Sequence, residues 1–234
     1  MSLYAIGDLH LSLGGNKSME VFGGAWTNYV ERLQEGFSKL HQEDITVLCG
    51  DTSWGMSLEE SLPDFQLIDR FPGRKILLKG NHDYWWNTVS KMRRFFAEHQ
   101  INSIDILHNN CFFYENYALC GTRGWFYEED FGGSPDEKIF QREVGRLETS
   151  LQAAGDSEIL CFLHYPPLYQ RYTCPEIISA MQKHRVKACY YGHLHGPAHH
   201  LALEGIHGGI DYSMVSADYL QFVPKKICDF AKRV

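Results

Sequence analysis

Five short polar clusters punctuate the chain. They are Gly7-Asp8-Leu9-His10, Gly50-Asp51, Gly80-Asn81-His82-Asp83, His164 within Leu163-His164-Tyr165-Pro166-Pro167, and Gly192-His193-Leu194-His195. Their donors are carboxylate, amide oxygen and imidazole, a set that suits Mn, Fe or Zn rather than Cu(I) or a soft thiolate centre. Gly-Asp alone is expected about once by chance in this composition. Gly-His-x-His is expected roughly 0.05 times, and Gly-Asn-His-Asp roughly 0.002 times. Asp8 and His10, like His193 and His195, stand two apart, so in extended backbone both side chains of a pair point the same way. The glycines preceding Asp8, Asp51, Asn81 and His193 would let the chain turn sharply there.

These clusters need a scaffold that brings them together, and the flanking sequence supplies one. Leu3-Tyr4-Ala5-Ile6, Ile45 to Cys49 and Lys75 to Leu78 read as strands. Between them, Trp26, Val30, Leu33, Phe37 and Leu40 repeat on one helical face, and Leu58 to Ile68 reads as a second helix. Val89, Met92 and Phe96 mark a third. This β-α-β-α-β order predicts a parallel sheet covered on both faces for the first hundred residues. Each cluster falls just past the C-terminal end of a strand, where open α/β sheets bind ligands.

In the middle, Ile104 to Leu107, Cys111 to Tyr114 and Tyr117 to Cys120 are closely spaced strands, with Asn109-Asn110 and Glu115-Asn116 between them predicting hairpins. Ser134-Pro135-Asp136-Glu137 reads as a capping box opening a helix through Leu151. Ile159 to Leu163 and Ala188 to Tyr191 are strands flanking a helix near Glu176 to Lys183, and the last forty residues are hairpin-like, with turns at Glu204-Gly205 and Gly208-Gly209. No repeat or linker interrupts the 234 residues, which predicts a single domain over 1–234.

Composition excludes several classes of protein. Hydrophobic residues make up 44% and charged residues 22%, which argues against wholesale disorder. No apolar run approaches the ~20 residues that span a bilayer, so no membrane association is expected. The formal charge of −7 lacks the footprint of a duplex nucleic-acid binder, although bound metal would let an acidic chain attract anions. Seven cysteines without a CxxC pair suggest free thiols, and the Met1-Ser2-Leu3-Tyr4 start lacks a secretory pattern. A cytoplasmic location is the expectation.

The ordered blocks D-x-H, G-D, G-N-H-D, H and G-H-x-H resemble the signature of the calcineurin-like, dinuclear metallophosphoesterases, across about residues 4 to 195. The resemblance implies an α/β fold, a two-sheet α/β/β/α sandwich with βαβ units, whose second sheet comes from the strand-rich middle and end. It implies that Asp8, His10 and His195 hold one divalent ion, that Asn81, His164 and His193 hold another, and that Asp51 bridges them. His82 would contact the substrate phosphate and leaving group, with Asp83 orienting it. The implied activity is hydrolysis of a phosphomonoester or phosphodiester in a small phosphorylated substrate, a nucleotide among the candidates, by in-line attack of a metal-bound hydroxide. The alternative is a non-catalytic scaffold on the same fold; such relatives typically lose ligands, and here every block is intact.

Other residues carry weaker signals. Arg123, in Cys120-Gly121-Thr122-Arg123-Gly124-Trp125, is a candidate phosphate clamp or a surface ion pair. Tyr84-Trp85-Trp86 and Trp125-Phe126-Tyr127 either stack on a base or cover the sheet edge. Gly14-Gly15 and Gly23-Gly24 bracket a segment that would serve as a lid. His199, His200 and His207 carry little ligand signal, and Glu128-Glu129-Asp130 reads as solvated.

Overall fold

A computed structural model describes residues 1–15, 17–125, 137–170 and 172–229. Its elements run β1 (Ser2–Ile6), α1 (Tyr29–Phe37), β2 (Ile45–Leu48), α2 (Leu62–Arg70), β3 (Arg74–Leu77), α3 (Val89–Glu98), β4 (Ile104–Ile106), β5 (Phe112–Tyr114) and β6 (Tyr117–Thr122). They continue with α4 (Glu137–Gln152), β7 (Glu158–Leu163), β8 (Leu168–Tyr169), β9 (Tyr172–Thr173), α5 (Pro175–Lys183), β10 (Ala188–Tyr191), β11 (Gly205–His207), β12 (Ile210–Met214) and β13 (Lys225–Asp229).

Two sheets result. The first has the order β13-β1-β2-β3-β4, and the second β11-β12-β10-β7-β6-β5. Strands β1 to β4 run parallel, as do β6, β7, β10 and β12, with antiparallel strands only at edges. The strands are apolar on both faces because both faces are covered. Leu3, Ala5, Val47 and Ile76 pack between the sheets against Leu119, Leu160 and Phe162. On the outer face of the first sheet, Ile6, Leu48 and Leu77 meet Leu33, Phe65 and Phe96 from the helices. Behind the second sheet, Cys161 and Leu163 meet Leu147 of α4 and Ile177 of α5. Each fully buried Leu, Ile or Phe contributes roughly 1.5–3 kcal/mol, so the intersheet layer holds the two sheets in fixed register.

Several sequence expectations need correction. Residues 104–107 and 111–114 do not form a hairpin: β4 pairs with β3, while β5 joins β6 in the other sheet. Only Asn109 is left-handed at that turn (φ 59°), and the Asn110 side chain caps the corner by accepting from the His108 amide. A two-residue hairpin of the favoured kind needs two such residues. The Glu115-Asn116 hairpin is present. Trp26 lies outside α1 because left-handed Asn28 (φ 51°) separates it from the helix, and α2 starts at Leu62 with Pro63 in its first turn. The final strand leaves the hairpin β11–β12 and returns to the first sheet beside β1. The capping box at 134–136 and the aromatic and acidic residues at 126–130 lie outside the described residues. No helix among the described residues is long and apolar enough to cross a membrane.

Candidate metal centre

All five clusters leave their strands at the same edge. Beyond β1 and β2 the two chains continue side by side: the Asp8 amide donates to Gly50 O (2.9 Å), and the His10 amide to Asp51 O (2.9 Å). The expected extended geometry is not how the side chains converge. Asp8 (φ 60°), His10 (φ 47°), Asp51 (φ 49°) and His193 (φ 75°) are all left-handed, a costly state for residues with a Cβ. Such strain persists where surroundings enforce it, and it gathers at functional sites. Two of the glycines are required for close approach rather than for turning. A Cβ on Gly80 would collide with Asp51 Oδ1, and one on Gly192 with Asp8 Oδ2.

Seven expected ligand residues come together. Asp8, His10 and His195 offer atoms within 4.8 Å of one another, as do Asp8, Asp51 and His164. Asp8 therefore belongs to both groups. Asp51 Oδ2 also stands between them, 3.8 Å from His10 Nε2 and 3.4 Å from His164 Nε2. Asn81 Oδ1 lies 2.6 Å from His164 Nε2 and 3.1 Å from His193 Nδ1.

The proton bookkeeping at this cluster calls for a cation. His164 Nδ1 sits 3.0 Å from Cys49 O, which can only accept, so Nδ1 carries the proton. Its Nε2 lone pair then faces Asn81 Oδ1 and Asp51 Oδ2, with no proton to share. His195 Nδ1 likewise faces the Asp218 carboxylate at 3.0 Å, leaving its Nε2 3.2 Å from His10 Nε2 and 3.6 Å from Asp8 Oδ1. Asp8 Oδ1 is buried without a hydrogen bond. Buried acceptors facing one another are costly unless positive charge sits among them. The residues fit divalent metal, with Asp218 behind His195 in the usual carboxylate–histidine–metal arrangement.

Electrostatics agree. Burial would raise the Asp8 carboxyl, but His195, His164 and His10 outweigh it and hold Asp8 below the usual carboxylate range. Burial, reinforced by Asp8, pushes Asp51 well up. Burial lowers His10 and His164, and takes His193 down to about 3. His195 goes the other way: burial opposes it, yet Asp8 and Asp218 push it up to about 10.

His82 and Asp83 divide their duties differently from expectation. Asp83 is 1% exposed, and its hydrogen bonds go elsewhere than the His82 ring. Its oxygens accept from the amides of Asp51 (3.0 Å), Thr52 (2.9 Å) and Gly80 (2.7 Å), and from Trp85 Nε1 (3.0 Å). It ties the second cluster to the third. The His82 amide donates to Asp51 Oδ1 (2.8 Å), while its ring lies against Trp54 (4.4 Å) with Nδ1 3.3 Å from the Tyr84 hydroxyl. Burial, with His164 nearby, lowers His82 to about 4, so its ring is neutral. Trp85 is core and Tyr84 is exposed.

Arg123 is not in the cluster; its side chain pairs with Glu143 (3.4 Å). The expected lid segment is anchored by buried Met19 and Trp26 and turns Val21 and Phe22 outward. His199 lies 3.1 Å from Asp218, His207 Nε2 meets Glu204 O, and His200 contacts Pro197 O. Sequence reasoning missed Asp218 and Trp54. Asp218 follows β12 as the other clusters follow their strands, which was the available signal, but no Gly or His accompanies it.

An α/β sandwich with a candidate divalent-metal centre at its strand ends defines the class. The family profile for calcineurin-like phosphoesterases matches residues 1–197, and the chain belongs to that family. Among solved structures it resembles phosphopantetheinyl hydrolase (PptH) from Mycobacterium tuberculosis, at 13% identity and TM-score 0.58, over 100% of this chain and 98% of that one. It also resembles a protein of unknown function from Aquifex aeolicus, at 15% identity and TM-score 0.51, over 96% and 95% of the two chains. At such identities the likeness concerns the fold. Among curated proteins, none matches significantly.

Proposed function

We propose that the chain is a metal-dependent phosphoesterase with two divalent ions, acting on phosphomonoester or phosphodiester bonds of a small phosphorylated substrate. The observation that carries this reading is the set of buried acceptors brought together: His164 Nε2 facing Asn81 Oδ1 and Asp51 Oδ2, with Asp8 Oδ1 buried without a hydrogen bond. Asp8, His10 and His195 would hold one ion and Asn81, His164 and His193 the other, with Asp51 available to both. Such ions supply charge for phosphoryl oxygens and lower the pKa of water to around 7. The chain's own residues do the rest. The Cys49 carbonyl and Asp218 fix the tautomers of His164 and His195, and the Asp83 web holds the Asp51 loop rigid. With the Tyr84 hydroxyl 3.3 Å from Nδ1, a neutral His82 ring can offer Nε2–H to a phosphoryl oxygen.

The test is hydrolysis of 4-nitrophenyl phosphate and bis(4-nitrophenyl) phosphate before and after chelation. Chelation should abolish turnover, and Mn²⁺ should restore it better than Mg²⁺, which prefers water and carboxylate oxygens over imidazole. Failure of Mn²⁺, Fe²⁺ and Zn²⁺ alike to restore hydrolysis would contradict the proposal.

A further inference from the structure

Beside the centre lies a cavity of about 250 Å³ whose walls include Lys79, Trp86, His108, Arg123, Glu143 and Arg146. It adjoins the candidate ligands through the backbone: Lys79 directly precedes Gly80-Asn81, and Arg123 O accepts from the amides of His164 (3.2 Å) and Tyr165 (2.8 Å). It adjoins them through side chains as well. The Arg123 guanidinium is 6.0 Å from the centre of the Tyr165 ring, which meets the His193 ring edge-on at 4.6 Å. One aromatic ring therefore separates the cavity from the metal centre.

Charge in the cavity is unbalanced. Its walls carry three cationic side chains against one carboxylate. That carboxylate, Glu143, is 2% exposed and already engaged by Thr122 Oγ1 (3.0 Å), Arg123 (3.4 Å) and Arg146. Lys79 has no hydrogen bond or ion pair with any described residue, and Arg123 Nε is buried without a partner. Clustered cations with idle donors cost stability unless an anion joins them. Guanidinium and ammonium donors converging in this way match the oxygens of a phosphate.

We propose that this cavity is a second anion subsite, taking a second phosphoryl group of a substrate whose phosphoester lies at the metal centre. The substrate is then a small molecule phosphorylated twice. This rests on the phosphoesterase reading, and the following experiment separates the two. Metal-loaded protein is titrated calorimetrically with methylphosphonate and with alkane-α,ω-bisphosphonates of increasing length, whose P–C bonds a phosphoesterase does not hydrolyse. Affinity should peak at a length that reaches past Tyr165, at least about tenfold above methylphosphonate, since a linked second contact adds effective concentration. Lys79→Gln, which removes no hydrogen bond or ion pair with a described residue, should remove most of that gain while leaving methylphosphonate affinity within about twofold. Arg146→Gln should do the same if its melting temperature is unchanged. A flat series, or a gain that survives both variants, would overturn the subsite. If methylphosphonate does not bind, the reading of the centre fails; the cavity then stands or falls on whether bisphosphonate binding depends on Lys79.

Discussion

The two sheets serve one site in unlike ways. The exits of the first sheet supply the carboxylates of both candidate ligand groups, Asp8 and Asp51, together with the amide oxygen of Asn81 and the imidazole of His10. The exits of the second supply the imidazoles of His164, His193 and His195, with the Asp218 carboxylate behind His195. The first-sheet loops are locked to one another by backbone bonds and by the Asp83 carboxylate. The second-sheet histidines are instead aligned largely by acceptors from the first sheet: Cys49 O holds His164, and Asp8 Oδ2 accepts from the His193 amide (2.9 Å). The carboxylates that face the candidate ligand groups thus come from one sheet and most of the imidazoles from the other, with Asp218 of the second sheet steadying His195. Neither sheet has a site until the intersheet core closes.

Breaking the charged side should have the largest effect. Asp51→Ala removes the carboxylate that stands between both ligand groups, and should reduce phosphoesterase activity by about 10³-fold or more, with metal content falling in parallel. Steady-state kinetics and elemental analysis on the same preparation check this.

His82 comes next and sharpens the contrast between holding metal and handling substrate. His82→Ala should keep its metals and lose about 10²–10³-fold in kcat/KM, the scale of removing one donor to a transition-state oxygen. Because the ring is neutral, aryl and alkyl esters should slow by the same factor. A far larger loss on alkyl esters would instead make it the acid that protonates the leaving group.

On the imidazole side, Asp218→Asn leaves every first-contact ligand in place but loosens His195. Metal affinity should fall by about 10–100-fold, read by competition with a chromophoric chelator. Asp83→Asn should have the smallest effect on chemistry. It puts an amide donor against backbone N–H groups, which should cost about 1–3 kcal/mol in urea unfolding, with metal content unchanged at saturating metal.

Much of this was legible in the sequence, and the exceptions have physical reasons. Strand–helix alternation marked β1 to β3, β7 and β10, because strands buried on both faces are continuously apolar; the short β8 and β9 were not marked. The five clusters marked the residues that the fold gathers into the candidate ligand groups, because residue type and spacing carry coordination chemistry. The partner of β4 was not legible, since a short apolar run followed by Asn-Asn reads alike whether the chain turns back or crosses between sheets. The left-handed backbone at Asp8, His10, Asp51 and His193 was hidden because those residue types do not demand it; only the packing does. Asp83 was assigned to its neighbour His82, whereas its carboxylate serves amides 30 to 32 residues away. Lys79 and Asp218 act through tertiary position alone.

The central claim is that both sheets together build a centre for two ions with Asp51 between them. Elemental analysis of chelator-stripped, Mn²⁺-reconstituted protein tests it most directly. The account predicts two ions per chain in the parent protein and fewer in Asp51→Ala. A ceiling of one ion in the parent, with Asp51→Ala leaving that ion in place, would contradict it.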